Sequence, residues 1–212
     1  MLKLPPETIL YNDQFVIRPF SPHDGKAIYE TVQQSIVELK RFMPWAHNEM
    51  SYETAMRIYA DFYAKTYRGQ EATFVGFDQK KGTVLFCAAL LPESRLNPLA
   101  LELGYWVASR NTGKGIGTTA AQIMIVLAFQ HYGADRLAIS CNPENKGSMR
   151  IIEKCGFKRE AELRNYQALP SDSMLKDGFS AQRTLYRFSL IPDDIPKLSW
   201  FNEIASKMQY EY

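Results

Sequence analysis

Apolar residues recur at helical spacing twice in the first third of the chain. Ala27, Ile28, Val32, Ile36 and Leu39 follow Ser21-Pro22-His23-Asp24, whose serine and proline have helix-start chemistry, so a helix is predicted there. A second helix is predicted from Ser51, an N-cap candidate, to about Tyr67, with Ala55, Ile58, Tyr59, Phe62 and Tyr63 on one face. Phe15 to Arg18 reads as a short strand stopped by Pro19, and Phe42-Met43-Pro44-Trp45 as an aromatic loop between the helices. From Ala72 the pattern changes to short, nearly continuous apolar runs. Ala72 to Phe77 and Thr83 to Leu91 form a hairpin about Asp78 to Gly82, and the strand Leu99 to Ala108 follows. A glycine-rich turn, Arg110 to Gly117, then opens a long apolar helix that stops at Gly133. Arg136 to Cys141 reads as a buried strand and Asn145 to Lys154 as a short helix closed by Gly156. Phe157 to Tyr166 and Gln182 to Leu190 read as two further strands. Hairpins first and strand-helix-strand afterwards predict an α/β chain with one mixed sheet covered by helices.

With 212 residues, this is one domain with a short appendage: a domain over 12–191 and a C-terminal extension over 192–212. The extension carries two prolines and the apolar cluster Leu198, Trp200, Phe201 and Ile204, which fits either a docking helix or an oligomer contact such as a homodimer. A content of 46% apolar and 23% charged residues excludes disorder and collagen-like structure. Lys and Arg outnumber Asp and Glu by only two, so there is no one-signed field to announce nucleic acid or an anionic membrane, and any basic patch is local. The longest mostly apolar run, Ala120 to Phe129, is about half of the ~20 residues a membrane span needs. Two prolines and an Asp interrupt the N-terminus where a secretion signal would be apolar. Cys87, Cys141 and Cys155 form no CxxC pair and sit in apolar runs, as reduced buried thiols do. A cytoplasmic protein is expected. His23, His47 and His131 lack metal-ligand spacing, so no metal is expected.

A strand that ends in glycines and opens a helix offers unpaired N–H groups at the positive end of the helix dipole, where a phosphate or pyrophosphate binds. Glycines that merely make a tight turn fit the same pattern. Two phosphate motifs fail on spacing: Lys114 is followed by Gly115 and not by Ser or Thr, which excludes a Walker loop, and the third glycine comes one residue early for a dinucleotide fingerprint.

Arg-x-x-Gly-x-Gly, in Arg110 to Gly115, lies between the strand Glu102-Leu-Gly-Tyr-Trp-Val107 and an apolar helix, and resembles the acetyl-CoA signature of the GNAT superfamily of N-acetyltransferases. Arg136 to Asn142, Asn145-Lys-Gly-Ser148, Glu153-Lys-Cys-Gly-Phe157 and Glu160 to Asn165 are similar to consecutive motifs of its RimJ/RimL-like branch, which acetylates protein N-terminal amines. Phe42-Met-Pro-Trp45 is similar to that branch's aromatic acceptor-side loop. The resemblance covers roughly residues 12–191. It implies the GNAT acyl-CoA N-acyltransferase fold, a single-domain mixed, mostly antiparallel sheet flanked by helices. In it the fourth and fifth strands splay apart and the pantetheine arm of coenzyme A enters between them.

On that resemblance acetyl-CoA is the co-substrate. Pantetheine amides pair with the strand edge at Tyr105, Trp106, Val107 and Ala108. The diphosphate meets the N–H groups around Lys114 to Thr118, that is Lys114, Gly115, Ile116, Gly117 and Thr118, with Arg110, Gly113 and Lys114 beside it. Asn142 and Asn145 are coenzyme-contacting candidates, Asn145 being equally a helix N-cap. Acetyl transfer needs a neutral amine, oxyanion donors and a proton for the departing thiolate. Ser148 is the candidate proton donor, or else a first-turn helix serine satisfying backbone groups. Glu102 is the candidate base, directly or through water, or else an ion-paired strand glutamate. A backbone N–H near Trp106 or Val107 is the candidate oxyanion donor. Trp45, Tyr105, Trp106 and Arg164 are candidates to line the acceptor site. The acceptor is a protein N-terminal amine or a small amine (a polyamine, aminoglycoside or amino acid); an acidic pocket built from Glu38, Glu49, Glu53 and Glu71 would favour the latter. A catalytically silent coenzyme A-binding module is the third reading.

Overall fold

The computed structural model describes residues 1–46, 50–93, 97 and 99–212; His47 and Glu49 lie outside the described residues. In chain order the elements are β1 (Thr8–Tyr11), β2 (Phe15–Pro19), α1 (Gly25–Gln34), α2 (Ile36–Leu39), α3 (Tyr52–Tyr67), β3 (Ala72–Asp78), β4 (Val84–Pro92) and β5 (Ala100–Val107), followed by α4 (Ile116–Val126), β6 (Arg136–Cys141), α5 (Lys146–Cys155), β7 (Lys158–Leu163), α6 (Asp172–Lys176), β8 (Leu185–Leu190), α7 (Phe201–Ser206) and β9 (Met208–Glu211). The strands form one sheet in the order β7-β8-β6-β5-β4-β3-β2-β1-β9. Only β5 and β6 run parallel; every other neighbouring pair is antiparallel. The architecture is therefore the mixed, mostly antiparallel α/β sheet with flanking helices that the motif order implies.

Strand alternation divides the core between the two faces. Phe74, Phe86, Leu90, Leu101, Leu103, Leu137, Ile139, Phe188 and Leu190 are buried with α4, α5 and α7. Val75 and Phe77 face the other way and pack with Phe20, Ile28, Val32, Ala55 and Tyr59 of the α1–α3 layer. From Ala120 on α4 is almost wholly buried, Ala120, Ala121 and Ile123 to Val126 packing into the core. Ser51 caps α3 by accepting from Thr54 N–H, as its sequence position predicts.

The sequence differs from the structure at its ends. β1 is not predicted; Asn12 and Asp13, both in the left-handed region (φ 50° and 51°), turn it back onto β2. Residues 192–212 do not project as an appendage: Phe201, Ile204 and Met208 are buried in the main core, and β9 pairs with β1. Strands on both sides of the 12–191 bounds thus complete the same sheet. The helix expected over Ser21 to Leu39 is interrupted at Ser35, and the strand expected from Gln182 begins at Leu185 as β8, because Gln182 and Thr184 belong to a loop.

Candidate active site

β5 pairs with β4 along its whole length but with β6 only at its start. Ala100, Leu101 and Glu102 lie opposite Arg136, Leu137 and Ala138, and the pairing does not continue to Val107 and Cys141. The splay expected between the fourth and fifth strands is present, one place later in the count because β1 precedes them. Ladder parity decides which backbone groups face the gap. Glu93 N–H donates to Ala100 O (2.7 Å) and Ala108 N–H to Leu85 O (2.9 Å), so the even-numbered residues of β5 bond β4. Tyr105 and Val107 consequently turn their main-chain groups toward the β6 side. Trp106 N–H and Ala108 N–H are taken by β4, so of the candidate backbone contacts only those of Tyr105 and Val107 face the gap.

Beyond β5 the chain turns through Gly113 and Gly115, both at left-handed φ (75° and 82°), where a side chain would be strained. Gly115 is the N-cap of α4 and has no side chain to cap it. Among the described residues the N–H groups of Gly113 to Thr118 donate no hydrogen bond within the protein. A Cβ at Gly113 or Gly115 would meet nothing within 4 Å, so this cradle is open on the outside. A Cβ at Gly117 would lie 2.8 Å from Ile151 and 3.3 Å from Val107, so that glycine lets α4 pack closely on α5 and β5. Ile116 is partly buried against the same core. Open donors at a positive helix end, beside an unpaired strand edge, fit the diphosphate and pantetheine of coenzyme A.

The cationic side chains of the loop point inward in this structure. Lys114 Nζ donates to Arg110 O (2.8 Å). Arg110 donates to Gln34 Oε1 (3.0 Å) and Val84 O (3.2 Å), which ties the loop to α1 and β4. Ser109 adds to that tie: its N–H donates to Ser35 Oγ (3.0 Å) and its hydroxyl to Glu38 (2.8 Å).

Across the gap, Asn145 caps α5 by accepting from Ser148 N–H (3.1 Å), placing Ser148 in the helix's first turn. Ser148 Oγ lies 3.1 Å from Tyr105 Oη, so α5 and β5 meet at their hydroxyls. Burial raises the Tyr105 phenol well above its ordinary range against a smaller opposing effect of Ser148, and it remains a neutral phenol. Burial also raises the Cys141 thiol, whose Sγ donates to Asn142 O (3.3 Å), against a smaller opposing effect of Ser148. Asn142 is a clasp: its Nδ2 donates to Ser180 Oγ (3.2 Å) and Gln182 O (3.0 Å), and its Oδ1 accepts from Glu144 N–H (2.9 Å). That occupies the side chain the sequence suggested for coenzyme contact.

Glu102 belongs to a charged network on the opposite face of the sheet. Arg187 donates to Glu102 Oε1 (2.7 Å), Ser140 Oγ (2.6 Å) and Glu93 Oε1 (2.5 Å). Arg136 joins Glu93 (3.1 Å) to Glu160 (2.8 Å), which also accepts from Ser189 (2.6 Å). Glu102 is thus ion-paired through one oxygen, while Oε2 has no hydrogen bond among the described residues. Arg136, and less so Ser189, hold the Glu160 carboxyl at about 2, below its ordinary 4.5. A carboxyl depressed by folding adds stability above about pH 4.5 and loses it as pH falls toward 2. Glu160 is partly exposed, so screening leaves roughly 1 kcal/mol. Urea unfolding at pH 5.5 and 2.5 checks this: the parent should lose about that much more stability than Glu160→Gln, and equal losses would refute it.

Trp45 is brought to Trp106, ring centroids 6.5 Å apart, on the same face as Glu102. Arg164 follows β7 and lines a broad open depression of about 660 Å³ with Glu162, Leu163, Asn165 and Tyr166; it bonds neither Glu102 nor Ser148. The acidic pocket does not assemble from its described members. Glu38 is held by Ser109, Glu71 is buried against Thr73, and Glu53 sits in the first turn of α3. Arg187, Glu93, Arg136 and Ser140 were missed by sequence reasoning; a lone arginine inside the apolar strand Leu185–Leu190 was the available signal, since a charge there needs partners.

The sequence profile of the family described as "Acetyltransferase (GNAT) domain" matches residues 14–158. Among curated proteins the chain is 29% identical over 161 residues to "Putative ribosomal N-acetyltransferase YdaF" of Bacillus subtilis (strain 168), covering 74% of this chain and 85% of that protein. It is 24% identical over 167 residues to the "Ribosomal-protein-serine acetyltransferase" of Escherichia coli (strain K12), covering 77% and 89%. Among solved structures, Mycobacterium smegmatis RimJ in complex with CoA-disulfide shares its fold with a TM-score of 0.78 and 20% identity, over 99% of this chain and 100% of that one.

Proposed function

Because the chain belongs to the GNAT acetyltransferase family and is an acetyl-CoA-dependent N-acetyltransferase, we propose that its acceptor is a protein N-terminal α-amine, attacked directly in a ternary complex. The observation that carries the chemistry is the juxtaposition of open N–H groups at Gly113 to Thr118, the unpaired edge at Tyr105 and Val107, and the Ser148 hydroxyl beside that edge. The N–H cradle, with Lys114 swung outward, holds the diphosphate, and Tyr105 and Val107 pair with the pantetheine amides. Val107 N–H steadies the developing oxyanion. Ser148 supplies the proton that the departing sulfur takes up with its electron pair. Glu102, through its free oxygen and a water, removes the amine's proton.

Two features support a protein α-amine over a small amine. Among the described residues the depression beside Arg164 is broad and open, unlike the enclosed pocket a small molecule usually takes, and Glu38, Glu53 and Glu71 do not assemble into an acidic pocket. The relatives' printed names point the same way, and a cytoplasmic setting goes with that acceptor. Thiol release from acetyl-CoA, followed with free-N-terminus peptides, polyamines and aminoglycosides, is the test. Turnover is expected with peptides; turnover with small amines alone overturns the acceptor. Binding of coenzyme A without turnover of any amine favours the silent module.

A further inference from the structure

The Tyr105–Ser148 contact is the only hydrogen bond of Tyr105 Oη among the described residues, and either oxygen could be its donor. Chemistry selects one direction. The half-buried phenol packs against the core, and a hydroxyl hydrogen turned away from Ser148 meets no acceptor among the described residues, whereas serine can accept one bond and still donate another. Tyr105 therefore donates and Ser148 Oγ accepts. Serine's own hydrogen is then free: among the described residues Ser148 Oγ has no other hydrogen bond.

We infer that Tyr105 is a positioning residue: its phenol donates to Ser148 Oγ and so aims the serine hydrogen into the β5–β6 gap, where a thiolate must be protonated. This deepens the proposed function and rests on Ser148 being the proton donor there. In the step itself the carbon–sulfur bond breaks, its electron pair goes to sulfur, and sulfur takes the serine hydrogen. The serine oxygen recovers a proton from cleft water. Tyr105 keeps its own proton; its donated bond supports negative charge developing on Oγ during the transfer. The backbone of Tyr105 faces the same gap, so one residue serves the strand edge with its main chain and the proton donor with its side chain.

The test is a double-mutant cycle of Tyr105→Phe and Ser148→Ala, read as single-turnover acetyl transfer to a peptide with a free N-terminus that the thiol-release panel has shown to be turned over. Tyr105→Phe is expected to slow transfer about tenfold when Ser148 is present and less than about twofold in the Ser148→Ala background, with coenzyme A affinity unchanged in both. Equal slowing in the two backgrounds overturns the inference and leaves Ser148 in place, because Tyr105 would then act by packing alone. An unslowed Ser148→Ala removes the proposed role of Ser148 and the inference with it, as does a protein that turns over no amine. If Tyr105→Phe fails to fold, 3-fluorotyrosine at position 105 keeps the shape and strengthens the donor. It should speed transfer with Ser148 present and not with Ser148→Ala; no difference between the backgrounds overturns the inference.

Discussion

Ser148→Ala is expected to lower kcat by about 10²- to 10⁴-fold, the range typical of proton donors, with coenzyme A affinity changed less than about twofold. The substitution is clean because the α5 cap survives it: the backbone N–H of residue 148 still reaches Asn145 Oδ1, so the helix start is unaltered. Only the hydroxyl between Tyr105 and the gap is lost. Steady-state thiol release gives kcat, and calorimetry gives the Kd for coenzyme A. An undiminished kcat would remove Ser148 from the reaction. A parallel loss of affinity would mean instead that the serine serves binding.

Removing residues 192–212 is expected to abolish cooperative folding. Phe201, Ile204 and Met208 are each buried in the main core. At about 1.5–3 kcal/mol per buried apolar side chain these three account for roughly 5–9 kcal/mol, against a total stability of about 5–15 kcal/mol for an ordinary domain. Leu198 also packs over Gly156, so closely that a Cβ there would lie 2.4 Å from it. The truncated chain should show no sharp thermal transition and should aggregate on gel filtration. A melting temperature within a few degrees of the full chain would make the segment dispensable after all.

What could be read from the sequence followed the length of each periodic signal. β3, β4, β5 and β6 are apolar runs bounded by turn residues, and their positions are legible to within one or two residues. α5 is marked at both ends, by Asn145 and by Gly156 at φ 83°. β1 and β9 are four-residue strands, too short for their periodicity to separate them from loops, and β9 is a strand because β1 lies beside it. The same limit holds at the site. The glycine turn and Ser148 are local in sequence and were visible. The network around Glu102 joins residues up to 94 positions apart, and no spacing rule connects Glu93 with Arg187. Asn142 shows another limit: its place in a motif resembling the family's made it a coenzyme-contacting candidate, but its amide is committed to Ser180 and Gln182.

The side-by-side placement of β1 and β9 also bears on the order in which the protein is made. Thr8 lies opposite Glu211, so β1, made long before β9, waits for it before its outer edge is covered. Closing a loop of that length costs only slightly more than closing a shorter one, because the penalty grows with the logarithm of length. The delay is one of time rather than energy: until β9 emerges, β1 exposes an unpaired edge that can recruit other strands. The sheet is therefore completed late, and the chain is most open to mispairing in the interval before β9 arrives.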